Sequence, residues 1–262
     1  MSMEPTDLRA DLRAPWRPLR AVTLDLWGTL IESRDPLGKI ERRREMLLTA
    51  IHEAGYPLEV EGLRGGFRAA RRIIDAGIAR DRRDMGPPGR WQELMRQLGI
   101  PPEAVPFDRV TAAYEELTVE YLPELLPGVE AAVEQLARQY RIGLICNTGY
   151  TGGRVLRQVL AQRGLIGHFE VLTFSNEHGY LKPHHTIFHD TLAALSVGPG
   201  HAVHIGDTEE MDIAGAQAAG MYSARYLPDG DNDGAVLSQA DIVFFDWSEL
   251  PGLLDARQRG EA

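Results

Sequence analysis

Ala21-Val22-Thr23-Leu24-Asp25-Leu26-Trp27-Gly28-Thr29-Leu30 is the stretch on which the fold of this chain turns. An apolar run ends in a carboxylate, and a glycine that permits a tight turn follows three positions later. The pattern predicts a buried strand with Asp25 at its carboxyl end, the edge at which open α/β sheets bind ligands. Taken alone, such an acid serves equally well as a turn or helix-cap residue. Other groups arriving at the same sheet edge decide between the two readings.

Further along, two kinds of patterning alternate in blocks. From about Leu37 to Leu125 apolar residues such as Leu47, Ile51, Ala70, Ile74, Leu94, Leu98, Tyr114 and Leu117 recur at helical spacing, with breaks at Gly55-Tyr56-Pro57 and Gly86-Pro87-Pro88 and no strand-like run. From about Pro127 onward, short apolar runs alternate with helical stretches. Strands are expected at Ile142 to Cys146, Phe169 to Phe174, Ala202 to Ile205, Tyr222 to Tyr226 and Ile242 to Phe245. Helices are expected at Val129 to Gln139, Arg154 to Arg163, His185 to Leu195, Asp212 to Ala219 and Ser248 to Arg257. Strands alternating with helices specify an α/β fold, a doubly wound parallel sheet. Since the first strand precedes the helical block, that block is an insertion. The expected division is an N-terminal tail over 1–19, a core domain over 20–33 and 126–262, and an inserted all-α cap domain over 34–125.

Composition narrows the class. A chain of 262 residues, 44% apolar and 25% charged, suits one large globular α/β unit or a core with an insertion. No run approaches the ~18 apolar residues of a membrane span. Met1 to Pro15 mixes acids and arginines without an apolar core, so it reads as a loose tail rather than a secretory signal. A net charge of −10 disfavours nucleic acid, and Arg42-Arg43-Arg44 sits among acids as a solvated helix face would. Cys146 is the only cysteine, which excludes an internal disulfide and points to a reducing cytoplasm. Basic residues are almost all arginine, 26 against two lysines, Lys39 and Lys182. A lysine at 182 is what a site needing a compact ammonium would retain, although chance usage explains the number as well.

Acids and donors fall at the predicted strand ends. Asp25 closes the first strand, Cys146-Asn147-Thr148-Gly149 the second, and Gly206-Asp207-Thr208-Glu209-Glu210-Met211-Asp212 follows Ala202 to Ile205, while Lys182-Pro183 comes after Phe169 to Phe174. In a parallel sheet these ends share one edge. Carboxylates brought together repel unless a cation neutralises them, and hard oxygen ligands suit Mg2+. An aspartate nucleophile needs such a cation beside it, polar donors for the transferred group, and water for the second half-reaction.

These four segments, in this order, resemble those of the haloacid dehalogenase superfamily of hydrolases with a helical cap inserted after the first motif. The resemblance spans roughly residues 20 to 250. It implies that Asp25 is the nucleophile, that Lys182 balances the charge of the site, and that Mg2+ is held by Asp25, the backbone carbonyl of Trp27, Asp207 and Asp212. Thr29 would orient the nucleophile, and Asn147 with Cys146 or Thr148 would contact the transferred group. Cys146 is otherwise read as a small buried residue, and whether Cys146 or Thr148 serves the second motif stays open. The cap would close over the site and select a small phosphorylated or otherwise anionic substrate, in a monomer or homodimer.

Two positions, Trp27 and Cys146, depart from the phosphatases of that superfamily, which usually offer Ser or Thr where this chain has Cys146. Those enzymes usually carry a second Asp where this chain has Trp27, and that acid protonates the leaving oxygen. An indole cannot, and general acid catalysis is typically worth ~100- to 10,000-fold. An aromatic residue there resembles the dehalogenases of the superfamily, which use Tyr and need no proton donor, so a carbon–halogen hydrolase is the alternative. A weakly active ligand-binding protein is another. Asp207 with Asp212 opposes the dehalogenase, which works without metal. Competing motifs are missing: there is no G-x-G-x-x-G after a strand, no Walker-type loop and no G-x-S-x-G. His185 and His189, at i,i+4, read as part of a solvated helix, and Trp91, Arg71, Arg72 and Arg80 as helix packing and surface charge.

Overall fold

In the computed structural model, which describes residues 16–228 and 237–261, Ala21–Leu24 forms β1 and is wholly buried. It is buried because it lies inside a six-stranded parallel sheet. The further strands, in chain order, are the short β2 (Ile31–Glu32) and β3 (Glu124–Leu125), then β4 (Arg141–Cys146), β5 (Val171–Phe174), β6 (Ala202–Gly206), β7 (Tyr222–Tyr226) and β8 (Ile242–Phe244). The order across the main sheet is β5-β4-β1-β6-β7-β8. The chain winds outward from β1 through β4 to β5, then returns to the other side of β1 for β6 to β8. That reversal puts the switch point of the sheet between β1 and β6. Leu24 pairs with Leu144 on one side and Ile205 on the other, so the residues that follow leave the sheet at one edge.

The helices are α1 (Pro36–Glu53), α2 (Val60–Asp81), α3 (Gly86–Leu98), α4 (Phe107–Glu120), α5 (Val129–Ala137), α6 (Gly153–Gln162), α7 (Ser175–His178), α8 (His185–Ala194), α9 (Ala214–Ala218) and α10 (Leu250–Arg259). Val133, Leu136, Leu156, Val159, Leu250 and Leu254 from α5, α6 and α10 pack with β1 and β4 in one apolar cluster. Ile187, Phe188, Leu192 and Ala216 from α8 and α9 form a second cluster with Ala21 and Ile145. Alternate strand residues thus feed opposite faces, the doubly wound arrangement that strand–helix alternation implies. Helices α1 to α4 have their own core of Leu47, Ile51, Leu63, Ile74 and Leu94 around Trp91, whose ring meets Tyr114 edge-on at 4.5 Å. Trp91 is packing, as its helical spacing suggested.

Two details differ from the sequence reading. The segment read as wholly helical ends in a strand: Leu125 of β3 pairs antiparallel with Ile31 of β2, tying together the exit and return of the helical block. Two residues are too few to show alternation. At the amino terminus, Trp16 and Leu19 belong to the main core, with the Trp16 indole stacked 4.3 Å from the Tyr222 ring. Residues 16–19 therefore pack with the core; the rest of the expected tail, 1–15, lies outside the described residues. Among the described residues no helix is long and apolar enough to cross a membrane.

Candidate active site

Asp25 leaves β1 with its backbone N–H still donated to Ile205 of β6, 2.9 Å, so the carboxylate starts from a fixed base. Gly28 then turns the chain with φ +75°, and a Cβ there would lie 2.6 Å from Asp207 Oδ2. Only glycine allows both the left-handed turn and this approach of the two acidic loops. Asp207 follows β6. Asp212 lies in the single π-helical turn Glu209–Ile213 and reaches back over Gly206, which leaves no room for a side chain of its own. Oxygens of Asp25, Asp207 and Asp212 lie within 4.8 Å of one another.

Lys182 sits among these acids, 2% exposed, with Nζ 2.5 Å from Asp25 Oδ1 and 2.6 Å from Asp212 Oδ1. Thr29 donates its hydroxyl to Asp25 Oδ2 at 3.2 Å, so each oxygen of the Asp25 carboxylate has its own donor. Asp212 is better supplied, since Oδ1 also meets His204 Nε2 at 3.1 Å and Oδ2 accepts the backbone N–H of Thr208 at 3.0 Å. The electrostatics follow from that difference. Burial lifts the Asp25 carboxyl to about 7, against the pull of Lys182. Burial acts on Asp212 as well, but Lys182 and the His204 hydrogen bond outweigh it and hold this carboxyl well below the usual range. Asp207 is raised by burial and by the charge of Asp212. Burial favours the neutral amine of Lys182, yet the charges of Asp212 and Asp25 prevail and it remains an ammonium. One buried cation facing three acids leaves negative charge unanswered, and two of the acids respond by resisting ionisation.

That imbalance tests the donor set for a metal. Three clustered carboxylates made only of hard oxygen donors, with surplus negative charge, fit a divalent cation of the Mg2+ type. A cleft of about 180 Å³ opens onto them, lined also by Trp27, Asn147 and Thr208.

The structure brings Asp25, Trp27, Thr29, Asn147, Lys182, Asp207 and Asp212 together at this sheet edge. Asn147 lines the cleft, but its amide is committed: Oδ1 accepts Lys182 N–H at 2.8 Å and Nδ2 donates to the Lys182 carbonyl at 3.1 Å. Its visible work is to seat the Lys182 backbone. Cys146 is fully buried, and burial together with nearby Asp25 pushes its thiol well up, which makes a small core residue of it rather than a thiolate. The Thr148 hydroxyl is engaged away from Asp25, 3.1 Å from both Asp84 Oδ2 and Ser175 Oγ.

Three contributors escaped the sequence reading. His204 is buried on β6, and burial pushes its imidazole below the usual value. An ionised Asp212 can only accept, so Nε2 carries the proton and Nδ1 accepts from Thr23 Oγ1 at 2.9 Å. An ionisable residue inside the apolar run Ala202-Val203-His204-Ile205 was the available signal. Asp84, in the α2–α3 connection, has a fully buried side chain that joins the helical block to Thr148 and to Ser175, 2.5 Å away. Beside it, Arg82 ends α2 in the left-handed region at φ 54°, and its carbonyl accepts Leu181 N–H at 2.9 Å, one residue before Lys182. Nothing local in Arg82-Arg83-Asp84 announces that docking. The histidines of α8 gather differently: His185 and His189 lie ring to ring at 5.7 Å, and neither joins the acidic cluster.

A family model described as haloacid dehalogenase-like hydrolase matches residues 19–220. The chain belongs to that family. Among its relatives is haloacid dehalogenase-like hydrolase domain-containing protein 3 of Mus musculus, 26% identical over 212 residues, 78% of this chain and 80% of that one. Glyceraldehyde 3-phosphate phosphatase of Methanopyrus kandleri is 29% identical over 243 residues, 90% of this chain and 96% of the other. A 2-haloacid dehalogenase from Pseudomonas syringae pv. tomato is similar in structure, with a TM-score of 0.65 at 26% identity over 90% of this chain and 98% of its own. This haloacid dehalogenase-like chain is thus a hydrolase whose acidic sheet edge coincides with the four motifs of its sequence.

Proposed function

We propose that the protein is an Mg2+-dependent hydrolase with Asp25 as nucleophile, acting as a phosphatase on a small phosphorylated metabolite. The observation that carries this reading is the surplus of carboxylate around Lys182: Asp207 and Asp212 stand within 4.8 Å of Asp25, a set that needs a cation and that carbon–halogen hydrolysis does not. The similarity to a glyceraldehyde 3-phosphate phosphatase along almost the whole chain agrees with it.

The roles follow from the contacts. Lys182 and Thr29 each hold one oxygen of Asp25 and fix the plane of the carboxylate. Asp25 attacks phosphorus, the P–O bond to the leaving group breaks, and an aspartyl phosphate forms; water then releases phosphate and restores Asp25. Asp25, Asp207, Asp212 and the Trp27 carbonyl would hold Mg2+, which supplies charge stabilisation for the transferred group. Asn147 keeps Lys182 in place through its backbone, and Thr23 and His204 keep Asp212 ionised and oriented. The helices between 34 and 125 act as a cap, with Asp84 as one of its seats on the core. Trp27 offers no proton to the departing oxygen, so activated aryl and acyl phosphates should react best.

Trp27 favours a dehalogenase, because an aromatic residue suffices where halide leaves unprotonated, and the similarity to a 2-haloacid dehalogenase structure points the same way. A panel of aryl, acyl and alkyl phosphates and 2-haloacids, assayed with Mg2+ and with chelator, separates the two. Mg2+-dependent release of phosphate supports the phosphatase; chelator-insensitive turnover of a haloacid with none of any phosphate refutes it.

A further inference from the structure

The second of the two lysines has no place in that mechanism. Lys39, in the first turns of α1, is 7% exposed, and its Nζ stands 5.5 Å from the centre of the Trp27 ring. Among the described residues no carboxylate lies within ion-pair distance of it. Its charged neighbour is another cation, Arg43, one turn along the same helix, and burial together with that neighbour pushes the ammonium down to about 8. Arg43 is itself inward-facing, and its hydrogen bonds go to neutral oxygens: the Tyr114 carbonyl and the hydroxyls of Thr118 and Thr151. A buried cation without an acid is unfavourable unless something else supplies the anion.

Trp27 links that charge to the reacting centre: it lines the cleft of Asp25 and Lys182, and its ring lies beside the Lys39 ammonium. Arg43, one turn along α1, borders a cavity of about 690 Å³ lined mostly by the helical block, large enough for an extended group. The outer arginines of that cavity are answered already, Arg68 by Glu61 at 2.9 Å and Arg71 by Asp75 at 3.3 Å. Lys39, beside a residue that lines the reacting cleft, has no such acid among the described residues.

We propose that Lys39, backed by Arg43, is the binding site for a second anionic group on the leaving-group side of the substrate, so that the substrate is a phosphate ester bearing a carboxylate or a second phosphate. The inference rests on the phosphatase reading and names its substrate class. The indole of Trp27, in the place of an acid, adds no negative charge that would repel such a group.

The test compares kcat/KM on matched pairs in Mg2+: phosphoglycolate with ethyl phosphate, 3-carboxyphenyl phosphate with phenyl phosphate, and propane-1,3-diol bisphosphate with 3-hydroxypropyl phosphate. Wild type should favour the doubly anionic member of at least one pair by about ten- to a hundredfold, the scale of one charge-assisted contact. Lys39→Met should erase most of that ratio, and Lys39→Arg should restore part of it, which a purely packing role for the lysine stem would not produce. Calorimetric binding of 3-phosphonopropionate against propylphosphonate, with Mg2+ present, reads the same subsite without turnover. Hydrolysis of phosphates with no preference for the second charge, or a preference that Lys39→Met leaves intact, overturns the assignment while sparing the phosphatase reading. Absence of hydrolysis of any phosphate refutes that reading, and the calorimetric comparison then still decides whether Lys39 binds the second anion.

Discussion

Replacing Asp25 by asparagine should abolish turnover and, in the absence of metal, make the protein more stable. Asparagine keeps the shape of the side chain but cannot attack phosphorus, so the first consequence is plain. The second follows from charge. Lifting the Asp25 carboxyl from 3.8 to about 7 corresponds to roughly 4 kcal/mol held against its ionised form, at about 1.4 kcal/mol per pH unit. Local relaxation and water entry reduce what unfolding registers, to about 2–4 kcal/mol. Because the folded value lies above the unfolded one, the stability linked to the protonated acid is complete below about pH 4 and is lost as pH rises through about 7. Asp25→Asn and wild type should therefore melt together near pH 4 and diverge by about pH 8, the variant higher by roughly 5–15 °C. Thermal unfolding followed by circular dichroism in chelator gives the comparison directly. Added Mg2+ should narrow the gap by stabilising wild type more than the variant. A variant that melts below wild type in chelator at about pH 8 would show that Lys182 already compensates Asp25 in full, and the case for a required cation would fall with it.

Other outcomes follow from the same contacts. Lys182→Arg should lower kcat/KM by more than about tenfold, because a planar fork cannot fill a 2% exposed seat between two carboxylates as a point charge does; wild-type activity would remove its special role. Apparent Mg2+ affinity should weaken as pH falls through about 7, by about tenfold per pH unit while one proton is displaced, since Asp25 and Asp207 must ionise to bind; an affinity independent of pH between about 5.5 and 8 contradicts this. Trp27→Asp should raise the ratio of alkyl to aryl phosphate hydrolysis, as only the poorer leaving group needs a proton, and the ratio cancels any general loss of folded enzyme from the vacated indole volume. An unchanged ratio in the folded variant would mean that position 27 is not a vacant acid position.

Much of this architecture is legible in the chain because the sheet is buried on both faces. The apolar runs at 21–24, 142–146 and 202–206 had to be nearly continuous, and each is followed by a polar residue, Asp25, Asn147 or Asp207, at one edge. Asp25, Lys182, Asp207 and Asp212 are visible for the same reason. What the sequence conceals depends on long-range pairing. The β2–β3 ribbon is two residues long on each side, below any periodic signal. Asp84 is one acid in an Arg-rich connection until folding carries it to Thr148 and Ser175. Asn147 looks like a substrate contact from its place after a strand, whereas its amide spans 35 positions to lock the Lys182 backbone. Lys39 looks like one more surface cation on a helix with acids and arginines around it, whereas in the fold it is 7% exposed with Trp27 beside it.

The most direct test of the account is to look for phosphate on Asp25. Wild type mixed with an aryl phosphate and Mg2+, quenched in acid within the first turnover and analysed by mass spectrometry, should carry the mass of one phosphoryl group on the peptide containing Asp25. The adduct should be missing in chelator and in Asp25→Asn. Turnover of the same ester with no adduct at Asp25 at any quench time, or with the adduct on another residue, would contradict the assignment of Asp25 as nucleophile.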